Sequence, residues 1–159
     1  MPKFHFYPVE QMSVITNKTS EVHAELRALN QVFATVRYSP DGRIKAANHR
    51  FLRITGYELP DLIGQQETMF LSKSYERTEQ NAIWEDLRAG KFVEKRSLCI
   101  TNGGHEIWLH SRHVPLQNDG GHITEIVQIV EDVTEQQTRE ADERSQIIAI
   151  NKTQAVAHF

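Results

Sequence analysis

The chain has 159 residues, 39% of them apolar, and a net charge of -3. This suits one modest domain with a real core plus short extensions, and the interspersed lysines and glutamates form no basic stripe of the kind nucleic acid requires. The single cysteine, Cys99, excludes an internal disulfide framework and a paired-cysteine zinc site, which points to a reducing, cytoplasmic setting; no apolar run approaches the ~18 residues of a bilayer span, so neither a membrane segment nor a targeting signal is expected in this stretch.

Residues 1–16 carry no clear period and read as a leader. From Asn17 to Phe33, Val22, Leu26, Leu29 and Phe33 recur at helical spacing and mark an amphipathic flanking helix. A strand, ATVRYS from Ala34, is closed by Pro40-Asp41-Gly42 and followed by a second, RIKAAN, ending at Asn48, which makes a hairpin. Asn48 stands as N-cap and Gly56 as terminator of a short helix over His49 to Gly56 that buries Phe51 and Leu52. One further helical turn is expected over Glu58 to Gly64, then an irregular connection over Gln65 to Lys73. A longer helix, capped by Ser74 and ended by Gly90, turns Ile83, Trp84 and Leu87 inward.

Three antiparallel strands follow, over Lys91 to Thr101, His105 to Leu116 and His122 to Asp132, separated by Asn102-Gly103-Gly104 and by Gln117 to Gly121. The third carries apolar residues on both faces, so the sheet is expected to be covered on both sides. Thr134 and Gln137 stand at capping-box spacing and open a polar helix over residues 135–150, a signalling or linker helix with a thin seam at Ala141 and Ile148. NKTQAVAHF, Asn151 to Phe159, aligns its alanine with that of NQVFATVRY, Asn30 to Tyr38, and is read as the first strand of a second, truncated copy of the same domain.

Taken together, SPDGRIKAANHRFLRITGYELPDLIGQ, IWEDLRAGKF and NGGHEIWLHSRHVPLQNDGGHITEIVQIVEDVTEQ, covering about Ala34 to Gln136, resemble a PAS sensory domain, most closely those of tandem-PAS bacterial methyl-accepting chemotaxis receptors. The resemblance carries an α+β fold: a five-stranded antiparallel sheet with short helices over one face, here flanked by the N-terminal helix and a C-terminal signalling helix. It implies a signal-sensing module, not an enzyme, that binds a small molecule or a redox- or gas-sensing cofactor and acts on a downstream domain of the same chain. The outputs considered are a chemoreceptor, then a histidine kinase or cyclic-nucleotide domain. The alternative is a ligand-free dimerisation or protein-interaction module.

Matching to flavin-binding relatives turns Ile107, Leu109, Ser111 and His113 inward, with Ser97, Cys99, Ile126, Gln128 and Val130; Leu52 and Trp84 would roof the cavity. Leu52, Leu109 and Ile126 read first as core, whereas Ser111, Gln128 and His113 are buried polar groups in search of partners. FAD is the first cofactor candidate, because Trp84 matches a tryptophan of flavin-binding redox sensors, although Cys99 stands where those relatives carry asparagine. The photochemical cysteine of light-sensing relatives has no counterpart in GQQETMFLSK, Gly64 to Lys73. A b-type haem is second, with only His49 and His113 as axial candidates; no cofactor is the third reading. The eight histidines are otherwise read as surface or edge residues without a metal.

Three structural expectations follow. Trp84 and Cys99 share one cavity; Asp132 and Thr134 tie the last strand to the signalling helix, with Thr134 as its cap; and a homodimer forms through Val22, Leu26, Leu29 and Phe33 with Trp108 on the outer sheet face.

Overall fold

The computed structural model describes residues 9–73 and 77–156 and divides after Phe33 into two units. The first is one helix, α1 (Val9–Val32). It begins eight residues before the expected start, so the leader reading is corrected. Its 24 residues contain neither glycine nor proline, and backbone hydrogen bonding extends the helix through a stretch too irregular in polarity to show a period. Val22, Leu26 and Leu29 are exposed on it, as is Phe33 just after it.

The second unit is a sheet of order β2-β1-β5-β4-β3 with every neighbouring pair antiparallel. Its strands are β1 (Ala34–Tyr38), β2 (Ile44–Ala47), β3 (Val93–Ile100), β4 (Glu106–Gln117) and β5 (Ile123–Asp132), all at the expected places. Between β2 and β3 the chain forms α2 (His49–Thr55), α3 (Leu59–Leu62), a 3-10 turn (Glu67–Phe70) and α4 (Arg77–Arg88). The expected cap Ser74 lies outside the described residues.

Local chemistry accounts for the joints. Asn48 Oδ1 accepts from the backbone N–H of Phe51 and of Thr35, both at 3.0 Å, so one side chain caps α2 and fastens it to β1. Gly56 ends α2 at φ 73°. Phe70 receives Phe51 and Tyr57 edge-on at 5.5 and 5.7 Å, while Tyr38 meets Trp84 at 5.3 Å; such pairs contribute about 0.5–1.5 kcal/mol each beyond area burial. These rings join Val36, Ile44, Leu62, Leu87, Leu109 and Ile126 in one core between sheet and helices.

After β5, α5 (Thr134–Val156) continues through the stretch expected to be a strand, so the strand expected at residues 151–156 is corrected to helix. Asn151–Val156 is helical and exposed there; a lone strand would leave its backbone groups without sheet partners, whereas a helix satisfies its own. Residues 157–159 lie outside the described residues.

Candidate functional site

Strand alternation decides which side chains meet beneath the helices. Leu109, Ser111 and His113 are buried while Trp108, His110, Arg112 and Val114, which alternate with them, are only half-buried, so the expected parity holds there; Ile107, also expected inward, is half-buried. Ser97 and Cys99 on β3 and Ile126, Gln128 and Val130 on β5 are likewise buried. The register sets Lys95 opposite Ser111, and His113 opposite Gln128. Lys95 therefore shares the inward face, with its side chain 10% exposed.

Into this polar patch the 3-10 turn inserts Glu67. Its Oε1 accepts from His113 Nε2 at 3.0 Å, pairs with Lys95 Nζ at 3.2 Å and accepts from Gln128 Nε2 at 3.4 Å. Its Oε2 accepts from Gln80 Nε2 at 2.5 Å and from Trp84 Nε1 at 3.2 Å. The donors are held by bonds of their own: Gln128 Nε2 donates to Ser111 Oγ, Gln128 Oε1 accepts from the Tyr38 hydroxyl at 2.7 Å, and Lys95 Nζ donates to Gln80 Oε1 at 3.0 Å. Gly42, at φ 86°, lies against the Trp84 indole, where a Cβ would sit in ordinary contact 3.6 Å from the ring.

Burial pushes the Glu67 carboxyl up, but the hydrogen bond and charge of His113 and the charge of Lys95 outweigh it and hold the group at about 2. It stays ionised in the dry interior. Burial, then Glu67, raises the Cys99 thiol to about 12 against the pull of Lys95. Burial also raises the Tyr38 phenol, with Glu67 and Cys99 adding, so it remains a donor. Near neutral pH, then, Glu67 is no proton acceptor and Cys99 no nucleophile. What the arrangement does is hold one negative charge with five directed donors.

The expected ligand cavity is reduced to about 10 Å³, lined by Ser97, Cys99, Leu109, Ser111 and Gln128 of the sheet with Glu67 and Phe70 above them. That is room for about one water. Trp84 does not reach it. The indole instead walls a separate cleft of about 110 Å³ whose lining also includes Gln80, Asn81 and Arg88, and Glu67 lines both spaces. The expected shared cavity of Trp84 and Cys99 is therefore corrected: the two residues line different spaces. Leu52 is half-buried against the core but does not roof the cavity, and Ile126 and Val130 are core without lining it. A groove of about 640 Å³ outside the 3-10 turn touches none of the residues expected to bind cofactor.

The space beneath the helices is far smaller than a flavin. Drug-sized ligands occupy pockets of roughly 300–1,000 Å³, and the polar atoms that would greet a ring are bonded to one another, leaving only Ser97 Oγ and His113 Nδ1 without partners among the described buried side chains. Haem fares no better. His49 is exposed, and His113, fully buried as its inward facing implies, has Nε2 committed to Glu67.

At the far end of the sheet, Thr134 Oγ1 donates to Asp132 Oδ1 at 2.5 Å and accepts from Trp108 N–H at 2.9 Å, while Thr134 N–H donates to Asp132 Oδ1 at 3.0 Å. Val133 N–H donates to the Trp108 carbonyl at 2.9 Å, and the first helical bond runs from Gln137 N–H to Val133 O. The tie between strand and helix stands as expected. The cap is corrected: the Thr134 hydroxyl is spent on the strands, because its residue already lies inside the first turn.

Sequence reasoning missed Glu67, Lys95, Gln80 and Tyr38. Lys95 shares parity with Ser97 and Cys99, and Gln80 lies one helical turn before Trp84, so both were within reach of periodicity. Glu67 sits in an irregular connection that carries no period.

A PAS domain profile matches residues 32–135. The chain is 27% identical over 135 residues to the biofilm dispersion protein BdlA of Pseudomonas aeruginosa, a match covering 84% of this chain but only about a third (32%) of that protein's length. Among solved structures it is similar to an RNA-binding light-oxygen-voltage receptor, with TM-score 0.68, 23% identity and coverage of 94% of this chain and 40% of the other. It is similar also to a light-oxygen-voltage domain studied with a flavin analogue, with TM-score 0.64, 17% identity and coverage of 77% and 94%. At these identities the structural likeness is one of fold. The strand order, the inward polar face and the matched profile agree, and the chain belongs to the PAS domain family.

Proposed function

We propose that this chain is a cytoplasmic, non-enzymatic signal-sensing module of a chemoreceptor-like transducer, in which the state of the Glu67 cluster is passed through β4 and β5 to α5. The observation that carries this reading is the double attachment of Trp108: its carbonyl accepts from Val133 and its N–H donates to Thr134. The next residue, Leu109, lines the small cavity beside Glu67. A displacement of the inward face thus has a hydrogen-bonded route to the first turn of α5 through one peptide unit, and the relay reading takes the seating of that turn as its two-state element. Arg96 of β3, bonded to Gln137 at 3.4 Å, adds a second tether.

The test is amide exchange in α5. Glu67→Gln perturbs the cluster without removing its shape, and protection over residues 137–145 is expected to change several-fold; unchanged protection would refute the relay. The signal is a small molecule rather than a large chromophore, on the strength of the closed core. The purified chain is accordingly expected to be colourless, and a flavin or haem absorption band would show that the core opens to admit one.

The stripe of Val22, Leu26, Leu29 and Phe33, each about half exposed, supports a homodimer as the second part of the proposal. An apolar helical stripe of this kind is matched by the same stripe on a second copy. Leu26→Glu with Leu29→Glu is expected to yield a folded monomer by sedimentation, and a dimer that persists would place the interface elsewhere.

A further inference from the structure

Glu67 is held as a bound ligand would be. Its carboxylate meets five nitrogen donors supplied by three strands and a helix: Lys95, His113, Gln128, Gln80 and Trp84. The side chain itself comes from a four-residue 3-10 turn with exposed neighbours at Gln66 and Thr68. Four of the five donors are also held by contacts other than Glu67, through Tyr38 and Ser111 on Gln128, the bond between Lys95 and Gln80, and the packing of Tyr38 and Gly42 on Trp84, while His113 is held by burial alone. The 110 Å³ cleft has exposed Gln66, Thr68 and Asn81 in its lining together with buried Glu67, Gln80 and Trp84, the last two donating to Oε2. Asp41, also in its lining, is paired with Arg43 at 3.3 Å. Buried Ser97 Oγ has no partner and lines the small cavity that Glu67 also lines.

We propose that this cradle is the sensory site of the module, that it binds a small carboxylate, and that Glu67 is a tethered stand-in which the ligand displaces. The proposal rests on the sensory reading above and names its ligand class. Exchanging one carboxylate for another leaves the interior charge unchanged, with Lys95 still paired, whereas a neutral molecule or a cation would strand that ammonium. At about 110 Å³ the cleft is some tenfold larger than the cavity with room for about one water, the scale of a carboxylate with a few carbons. Because a tethered competitor acts at an effective concentration of about millimolar or more, the ligand is one present at comparable levels. Its arrival frees the 3-10 turn, whose end pairs Leu71 with Cys99 on β3.

The experiment is chemical rescue. The 159-residue chain carrying Glu67→Ala is melted in increasing sodium acetate, with sodium chloride at equal ionic strength and acetamide as controls. Acetate at ten times its dissociation constant is expected to raise Tm by about 3 °C, saturably, with neither control doing so. The unaltered chain should need at least tenfold more acetate for a comparable response. If Glu67→Ala does not fold, Glu67→Gln is titrated with acetate while the indole N–H resonances are followed: Trp84 is expected to shift saturably and Trp108 to stay. A rise shared by chloride or acetamide, an unmoved Trp84 signal, or rescue of the variant with no response of the unaltered chain at any acetate concentration each mark Glu67 as a structural ion cluster only and overturn the proposal. The sensory reading would survive that result, since its own test reads α5.

Discussion

Replacement of Glu67 by alanine is expected to cost about 3–5 kcal/mol of folding stability, measured by urea unfolding, because it removes one partner of a buried ion pair and leaves the other. Lys95 would keep its ammonium in the core, and the Trp84, Gln80 and His113 donors would lose their common acceptor. The cost comes from the stranded charge and not from the worth of the contact. Glu67→Gln combined with Lys95→Met is therefore expected to be more stable than Glu67→Ala alone, although it changes two residues. A loss below about 1 kcal/mol for Glu67→Ala would mean that water already reaches this cluster.

The same group sets the acid limb of stability. Its carboxyl is held at about 2 in the folded chain against an ordinary 4.5. The unfolded chain thus takes up the proton first as pH falls, so the contribution is complete above about pH 4.5 and lost progressively down to about pH 2. The difference corresponds to about 3 kcal/mol. Glu67→Gln should flatten the dependence of stability on pH in that window and leave the neutral region parallel; an unaltered acid limb would assign the titration to other carboxylates.

Asp132→Ala is expected to loosen α5 without disturbing the core. Asp132 accepts from both the N–H and the hydroxyl of Thr134, and that hydroxyl in turn receives Trp108 N–H. Loss of this anchor should cost about 1–2 kcal/mol locally, on the scale of a lost cap, and speed amide exchange in the first turns of α5 by about 5–30-fold. Trp84 should report an unchanged interior. In the Asp132→Ala background, Glu67→Gln should no longer alter α5 protection, which is the non-additivity that defines coupling. Equal, additive effects in the two backgrounds would show that α5 senses the sheet by another route, such as Arg96.

Much of the fold is written locally. Pro40-Asp41-Gly42 and the glycine-bearing turns at 102–104 and 117–121 place the strand boundaries, and Asn48 with Gly56 brackets α2. Alternation along β3, β4 and β5 then sorts side chains into two faces, and the resemblance to flavin-binding relatives says which face is inward, so Ser97, Cys99, Ser111, His113 and Gln128 group together from the sequence. Capping, turn and period signals act over a few residues, and that is why they survive in sequence.

What those inward residues do was decided elsewhere. Glu67 comes from a 3-10 turn without period, and its insertion turns an expected ligand cavity into about 10 Å³ beside a closed cluster of charge. The partner of the Thr134 hydroxyl depended on how near β4 passes. The repeat-like NKTQAVAHF is helical through Val156, since strand geometry requires a neighbouring strand that a nine-residue likeness does not bring. Sequence by itself determined the strands, their facing and their joints, because hydrogen bonds and side-chain period repeat along the chain. Which carboxylate lies among which donors only the tertiary structure decided, because that choice depends on residues dozens of positions apart meeting where water is excluded and an unpaired charge cannot remain.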